Sequence, residues 1–365
     1  MSNVWAVQKA TTRQKGCAVV MKVAVLTGGG DCPGLNAVIR ALVRKAPHHG
    51  FEVMGVRDGW QGLIEDRHFL LTRENTGGIL HRGGTILGTS RCNPFKVPDG
   101  VESVKRTLAR EQVDAVVAIG GEGTLSCATA MYRLGLPVIG VPKTIDNDIG
   151  LTDYTFGFDT AVHIATEAVD RLHSTAESHK RVMVVEVMGR HAGWIATHAG
   201  LAGGADVILV PERPADLVKV AEHIQHRHAS GRRFSIVVVA EGALIKRGDE
   251  DEEHLVTSGK LDEAGRPRLG GIGALVGEEI ERRTGVETRV SVLGYTQRGG
   301  SPTAHDRVLA TRYGVYAADM VARKEWGQMA ALQGNEIVSV PLADATRELK
   351  RVPSSFFEVA ETFFG

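Results

Sequence analysis

The sequence predicts an α/β protein with doubly wound, mainly parallel sheets. Eight short apolar runs rich in β-branched residues recur along the chain without the polar alternation of a half-exposed strand, the pattern of strands buried on both faces. Amphipathic stretches separate many of them, as the crossovers of a parallel sheet require. Several runs end in glycine-rich turns, which is where open α/β sheets bind ligands.

The first strand, over 23–26, leads into Gly28-Gly29-Gly30-Asp31-Cys32-Pro33-Gly34 and an amphipathic helix over 35–45. Glycines let backbone amides approach phosphate oxygens, and a helix N-terminus adds partial positive charge; the same glycines serve tight strand-to-helix packing equally well. Pro33 stands where a dinucleotide fingerprint needs its third glycine, and no GxxxxGK[ST] occurs. Strands over 52–56 and 114–119 follow, the second ending in Gly120-Gly121-Glu122-Gly123-Thr124 at the mouth of another helix. A carboxylate between glycines suits a magnesium ligand beside a phosphate, and also an acid at a helix start. The strand over 137–141 runs into Pro142-Lys143-Thr144-Ile145-Asp146-Asn147-Asp148, with one cation, one hydroxyl and two carboxylates in seven residues. An Asx-turn explains one aspartate, whereas a general base on a sugar hydroxyl with a second carboxylate near a metal uses all of them.

A helix over 160–173 precedes strands over 181–187 and 206–210, a helix over 217–228 and a strand over 235–240. The segment 245–268, with its GDEDEEH run, breaks the rhythm and reads as a solvated loop with a small hairpin. The last strand, over 288–293, ends in Gly294-Tyr295-Thr296-Gln297-Arg298-Gly299-Gly300-Ser301-Pro302. Arg298 there reads as anion recognition, as do Arg181 and Arg190 around VMVVEVMG and Arg289, although a lone arginine is as a rule a surface charge. A helix over 304–322 follows, and the short aromatic stretch after Pro353 reads as a docked tail.

At 365 residues, 43% apolar and 24% charged, the chain can bury the cores of two domains. Its 43 basic and 43 acidic side chains cancel, so no nucleic-acid and no membrane partner is expected, and any anion site is local. No apolar run approaches the roughly 18–20 residues of a membrane span. Cys17, Cys32, Cys92 and Cys127 form no CxxC pair and no cluster with histidine, which argues against a disulfide framework or structural zinc and fits a reducing cytoplasm. Residues 1–20 carry Lys9, Arg13 and Lys15 without an acid, faintly like a transit peptide. A disordered extension ahead of a functional start at Met21 is the preferred reading, because residues 23–26 already form a core strand.

Together, GGGDCPGLNAVIR, GGTILGTSR, IGGEGTL, PKTIDNDI, VEVMGRHAGWIA, VVVAEGA and TRVSVLGYTQRGGSPTAHDRVLA occur in an order that resembles the bacterial-type 6-phosphofructokinases, and in particular their mixed-substrate, actinobacterial-like group. The resemblance covers nearly the whole chain from Met21. It implies two doubly wound, three-layer α/β/α domains with mainly parallel sheets: a larger nucleotide-binding domain of 21–157 plus 297–348, a smaller sugar-phosphate-binding domain of 158–296, and a tail of 349–365. It also implies phosphoryl transfer from ATP to the 1-hydroxyl of fructose 6-phosphate, with Mg2+ as cofactor. Gly30, Arg91, Cys92, Gly121, Glu122, Gly123 and Thr124 would form the nucleotide site, with Glu122 as magnesium ligand where many relatives have aspartate. Asp146 would accept the proton, assisted by Thr144 and Arg91, with Ile145 beside it. Met188, Gly189, Arg190 and Glu241 would line the pocket for the sugar hydroxyls. Tyr295 and Arg298 would clamp the 6-phosphate, with Thr296 and Gln297 between them also in the substrate site, joined by Arg181 and Arg289 lent from a neighbouring subunit, which implies a homodimer or homotetramer with shared active sites.

Two positions bear on the donor against one. Lys143 stands where ATP users of the family usually have glycine and is associated with pyrophosphate users, and Tyr295 replaces a histidine frequent among ATP enzymes. Gly123 occupies the place where pyrophosphate users carry an aspartate that would crowd and repel a nucleotide's phosphates. A steric and electrostatic block outweighs one additional lysine, so ATP is expected, with pyrophosphate the alternative. A catalytically silent sugar-phosphate sensor could dispense with Asp146 and Glu122, both of which are present. A nicotinamide oxidoreductase would need the fingerprint that Pro33 breaks. Arg40 and Arg44 resemble effector-site arginines or else a solvated helix face, and His173 stands where effector-controlled relatives often have arginine.

Overall fold

The computed structural model describes residues 20–246, 254–261 and 267–362. The expected N-terminal extension, Val20 apart, lies outside them, as does the acidic run 247–253. The chain divides into two compact units.

The first unit comprises residues 20–144, with Ile149–Gly157 and Arg298–Glu348. Its seven strands lie in the order Glu336–Pro341, Gln328–Gln333, Val138–Pro142, Ala115–Gly120, Met21–Gly28, Phe51–Val56 and His68–Leu71. The middle five are parallel, and an antiparallel strand closes each edge. Ala24 and Leu26 join a buried cluster with Trp60, Leu108 and Leu125, from the helices Trp60–Ile64, Gly100–Arg110 and Glu122–Arg133. Alternation along the strand turns Val23 and Val25 to the other face, the side of the helices Leu35–Lys45 and Ala304–Arg323, which pack on each other. From Met21–Gly28 the chain winds to Phe51–Val56 on one side and then returns to Ala115–Gly120 on the other, so the direction of winding reverses between two central strands. A ligand crevice opens beyond the carboxyl ends of strands at such a point.

The second unit comprises Ile145–Asp148, the described residues of Phe158–Gln297 and residues 349–362. Its four strands, all parallel, lie in the order Thr288–Val292, Val182–Val187, Ser235–Ala240 and Val207–Leu209. Val184 and Val237 pack on Ile224 and Ile280 of the helices Leu217–Ala229 and Ile272–Thr284, while Phe158–His179 and Trp194–Ala202 pair on the other face. Three short strands, Ala215–Asp216, Leu244–Lys246 and His254–Leu255, form a small sheet, and Thr257–Leu261 pairs with Pro267–Leu269 where a hairpin was expected.

All eight expected strands are present. The division of the chain differs from the expected boundaries at three places: Ile145–Asp148, Gln297 and the segment from Leu349 on group with the second unit. Two of those segments are bonded to each other, since Lys350 is tied to both Asn147 and Asp148. Among the described residues no helix is long and apolar enough to cross a membrane.

Candidate functional site

In the first unit, Gly28 and Gly120 are register partners at the ends of the two central strands. Thr124 packs its side chain against both: a Cβ on Gly28 would lie 2.5 Å from its Oγ1, and one on Gly120 2.3 Å from its Cβ. Only 7% exposed, Thr124 is therefore a packing wedge in its side chain. Gly29 takes a left-handed φ of 80° and donates its N–H to Ser90 O at 2.9 Å, while Thr89 Oγ1 donates to Gly29 O at 2.5 Å. These bonds lace the segment carrying Arg91, which is exposed, and Cys92, which is half-buried, onto the glycine turn. Burial, and then the nearby Glu65, pushes the Cys92 thiol up, which disfavours the reactive thiolate.

Two cations bear on the same turn. Lys143, 3% exposed, donates from Nζ to Gly30 O, and its N–H donates to Gly120 O at 2.9 Å. Arg298 donates from Nη1 to Asp31 O at 3.2 Å, and a Cβ on Gly30 would stand 2.7 Å from that nitrogen. The sequence grouped Arg298 with Tyr295; its guanidinium instead lies against the Gly30-Asp31 turn of the first unit. Glu122 opens the helix Glu122–Arg133 and accepts from Ser126 Oγ at 3.0 Å, and Gly123 beside it is exposed with no atom within 4 Å of a Cβ placed there. Magnesium takes one or two carboxylates and fills its octahedron with water and phosphate oxygens. A half-buried Glu122 next to open ground at Gly123 fits that demand. Gly121 brings the helix start close to Thr144, whose Cβ would be 3.9 Å from a Cβ on Gly121.

Among the described residues, one other carboxylate–histidine group could share an ion, Asp66 with His68 and Glu111. Its members are already paired with Arg110 and Lys22, so it reads as an ion-pair cluster.

In the second unit, Ile145 is buried and Asp146 half-buried. Asn147, 1% exposed, holds a left-handed φ of 50°. Met188, Gly189 and Arg190 follow the strand Val182–Val187, and Glu241 follows its neighbour Ser235–Ala240. The two strand ends interlock: Glu241 N–H donates to Val187 O at 2.8 Å and Gly242 N–H to Gly189 O at 3.1 Å. Gln297, fully buried, accepts from Met188 N–H at 3.3 Å and donates to Gly294 O at 3.2 Å, so it braces the loop. Tyr295 is 70% exposed at the end of the third neighbouring strand, and Thr296 Oγ1 donates to Leu293 O at 2.6 Å.

Met188, Gly189, Arg190, Glu241 and Tyr295 thus share the carboxyl edge of one sheet. Arg181 and Arg289 do not. They lie at its amino edge, and the seven residues from Arg181 to Met188 span roughly 23 Å. Both are paired with Glu287, Arg181 Nε to Oε2 at 2.6 Å, and the Arg181 guanidinium first, then Arg289, holds that carboxyl below its ordinary value. The sequence reading missed Lys350, Trp194 and Glu212, which hold the Asp146 turn and the loop after Met188 from behind. Lys350 stands 203 residues from its partner Asn147, and no local pattern announces such a bond.

A family model described as Phosphofructokinase matches residues 22–321. Among similar curated proteins, the pyrophosphate–fructose 6-phosphate 1-phosphotransferase of Amycolatopsis methanolica is 58% identical over 346 residues, covering 94% of this chain and 100% of its own. The ATP-dependent 6-phosphofructokinase 3 of Streptomyces coelicolor is 53% identical over 342 residues, covering 93% and 99%. Among solved structures, the phosphofructokinase of Saccharomyces cerevisiae superposes with a TM-score of 0.77 at 33% identity, covering 94% of this chain and 46% of the longer yeast chain.

Proposed function

Because the chain belongs to the phosphofructokinase family, we propose that it transfers a phosphoryl group from ATP to the 1-hydroxyl of fructose 6-phosphate, releasing fructose 1,6-bisphosphate and ADP. One observation carries this reading. The turn after the strand Val138–Pro142 supplies a buried cation bonded to the glycine turn and, three residues on, a half-buried carboxylate.

Phosphoryl transfer asks little covalent chemistry of the protein and much alignment and charge neutralisation. Lys143, Arg298 and Arg91 concentrate positive charge about the Gly29-Gly30-Asp31 turn, which receives the donor's phosphates. Held by Glu122, Mg2+ would add neutralisation at the phosphate oxygens. Met188, Gly189, Arg190 and Glu241 hold the sugar hydroxyls, and Tyr295 stands at the 6-phosphate end. Asp146 takes the proton of the 1-hydroxyl as that oxygen bonds to the γ-phosphorus and ADP departs.

Arg181 and Arg289 lie too far along their own strands to join that set, and the family resemblance gives them to the 6-phosphate of a second copy. Arg289 sits on the strand Thr288–Val292, an edge of its sheet where Val290 is 38% and Val292 61% exposed. An uncovered apolar edge suits a homo-oligomer.

Pyrophosphate is the second reading for the donor, favoured by Lys143 and by the naming of the Amycolatopsis relative. Initial rates with each donor, at fixed fructose 6-phosphate and Mg2+, test both. Preference for pyrophosphate overturns the choice of ATP, and fructose 6-phosphate binding without turnover from either donor overturns the enzyme reading in favour of a sensor.

A further inference from the structure

We propose that Lys350 is a positioning residue for phosphoryl transfer: the segment 349–357 is a strap that holds the turn carrying Asp146 in register with the loop lining the sugar site. This rests on Asp146 being the proton acceptor.

Lys350 grips the turn immediately after Asp146 at two points. Its N–H donates to Asp148 O at 2.9 Å, and its Nζ donates to Asn147 Oδ1 at 3.0 Å. Between them Asn147 keeps a φ of 50°, a left-handed conformation that asparagine adopts more readily than most residues. The same lysine reaches the sugar-site loop. Its carbonyl accepts from Trp194 Nε1 at 3.0 Å, and its ammonium lies 5.2 Å from the centre of the Trp194 ring. Trp194 opens the helix that begins directly after the loop of Met188, Gly189 and Arg190. Two residues along the strap, Val352 N–H donates to Glu212 Oε1 at 3.0 Å, and Glu212 also accepts from Gly193 N–H, the last residue of that loop. Phe356 then stacks on His198 of the same helix with ring centres 4.9 Å apart.

One short stretch of chain therefore fastens the base-bearing turn and the sugar loop to a single support. Geometry held this way matters to rate more than to affinity, because a displacement of about 1 Å in a reacting group costs on the order of a hundredfold.

Lys350→Met keeps the aliphatic stem and removes the ammonium. Its kcat with fructose 6-phosphate is expected to fall about 10- to 100-fold, with the donor KM within about twofold of wild type. Lys350→Arg, which keeps a cationic donor, should recover part of the loss. Asn147→Gly permits the left-handed backbone and deletes the acceptor, so it should lower kcat similarly, and the double variant should be no worse than the more impaired single one. If Lys350→Met fails to fold, Asn147→Gly alone decides the matter. An active wild type with kcat unchanged in these variants overturns the proposal and leaves the kinase reading standing, as do losses that add in the double variant. A wild type inert with both donors takes down both.

Discussion

Gly123→Asp separates the fate of the donor from that of the fold. Gly123 is the second residue of the helix Glu122–Arg133, exposed, with nothing within 4 Å of its would-be Cβ. Replacing a helical glycine by aspartate, itself a weak helix former, gains only about 0.3 kcal/mol, and an acid in the first helical turn adds about 0.3–1 kcal/mol, less what repulsion from Glu122 removes. The melting temperature should hold, or rise by ~2–4 °C per kcal/mol gained. The donor fares differently. A carboxylate about 5 Å from a phosphate charge at an effective dielectric of ~20 is repelled by ~3 kcal/mol, and solvent screening at this exposed position removes roughly half of that. The remainder predicts a fall of about one decade in kcat/KM for ATP per phosphate charge approached. Pyrophosphate lacks the third phosphate and the nucleoside that the new side chain crowds, so its kcat/KM should fall less. The assay is paired initial rates with both donors alongside a thermal melt. An equal loss for the two donors, or a lowered melting temperature, would refute the reasoning.

Asp146→Asn should leave fructose 6-phosphate binding by calorimetry largely intact and cut kcat by roughly two to four decades; near-normal turnover would remove Asp146 from the mechanism. Gly30→Ala would place a Cβ 2.7 Å from Arg298 Nη1, the far end of a flexible side chain. Its stability should change by under ~1 kcal/mol while the KM for phosphate-bearing substrates rises several-fold, and an unchanged KM would count against Arg298 as an anion ligand. His198, His223 and His228 are held below their ordinary 6.5, in each case by burial first, with Lys350 adding to it at His198 and Arg227 at the other two. The unfolded chain therefore takes up protons that the folded one resists, so their contribution to stability is present above that value and drains away as pH falls beneath it. Asp206, pushed up by burial, opposes this only as pH nears the carboxylate range. Urea midpoints should drop between about pH 7.5 and about pH 5.5, and a flat profile would contradict the burial of these rings.

Strands were legible where burial on both faces leaves a continuous apolar run, as in Val182–Val187 and Ser235–Ala240, which are buried throughout. The edges were not. His68–Leu71 is only partly covered, and QMAALQ at Gln328–Gln333 offers alanine and leucine, residues of high helical propensity that tertiary pairing overrides. The glycine turns could be read because their chemistry is local, packed into 28–34, 120–124 and 142–148. Contacts between turns could not, since they depend on which strand ends topology makes neighbours: Arg298 meets Asp31 across 267 residues, and Lys143 meets Gly30 across 113.

That last contact bears on the donor. A lysine at 143 was weighed as a mark of pyrophosphate use on the supposition that its ammonium exists to meet phosphate. In the structure that ammonium already bonds a main-chain carbonyl of the glycine turn, and the side chain is almost wholly buried. Losing it would leave Gly30 O without a buried donor, at a cost of about 1–3 kcal/mol. Lys143 thus has a reason to be present whichever donor binds, because it shapes the turn that receives phosphates from either. Gly123, whose neighbourhood is open, has no such second employment, and the absence of a side chain there is the better guide to what the site admits.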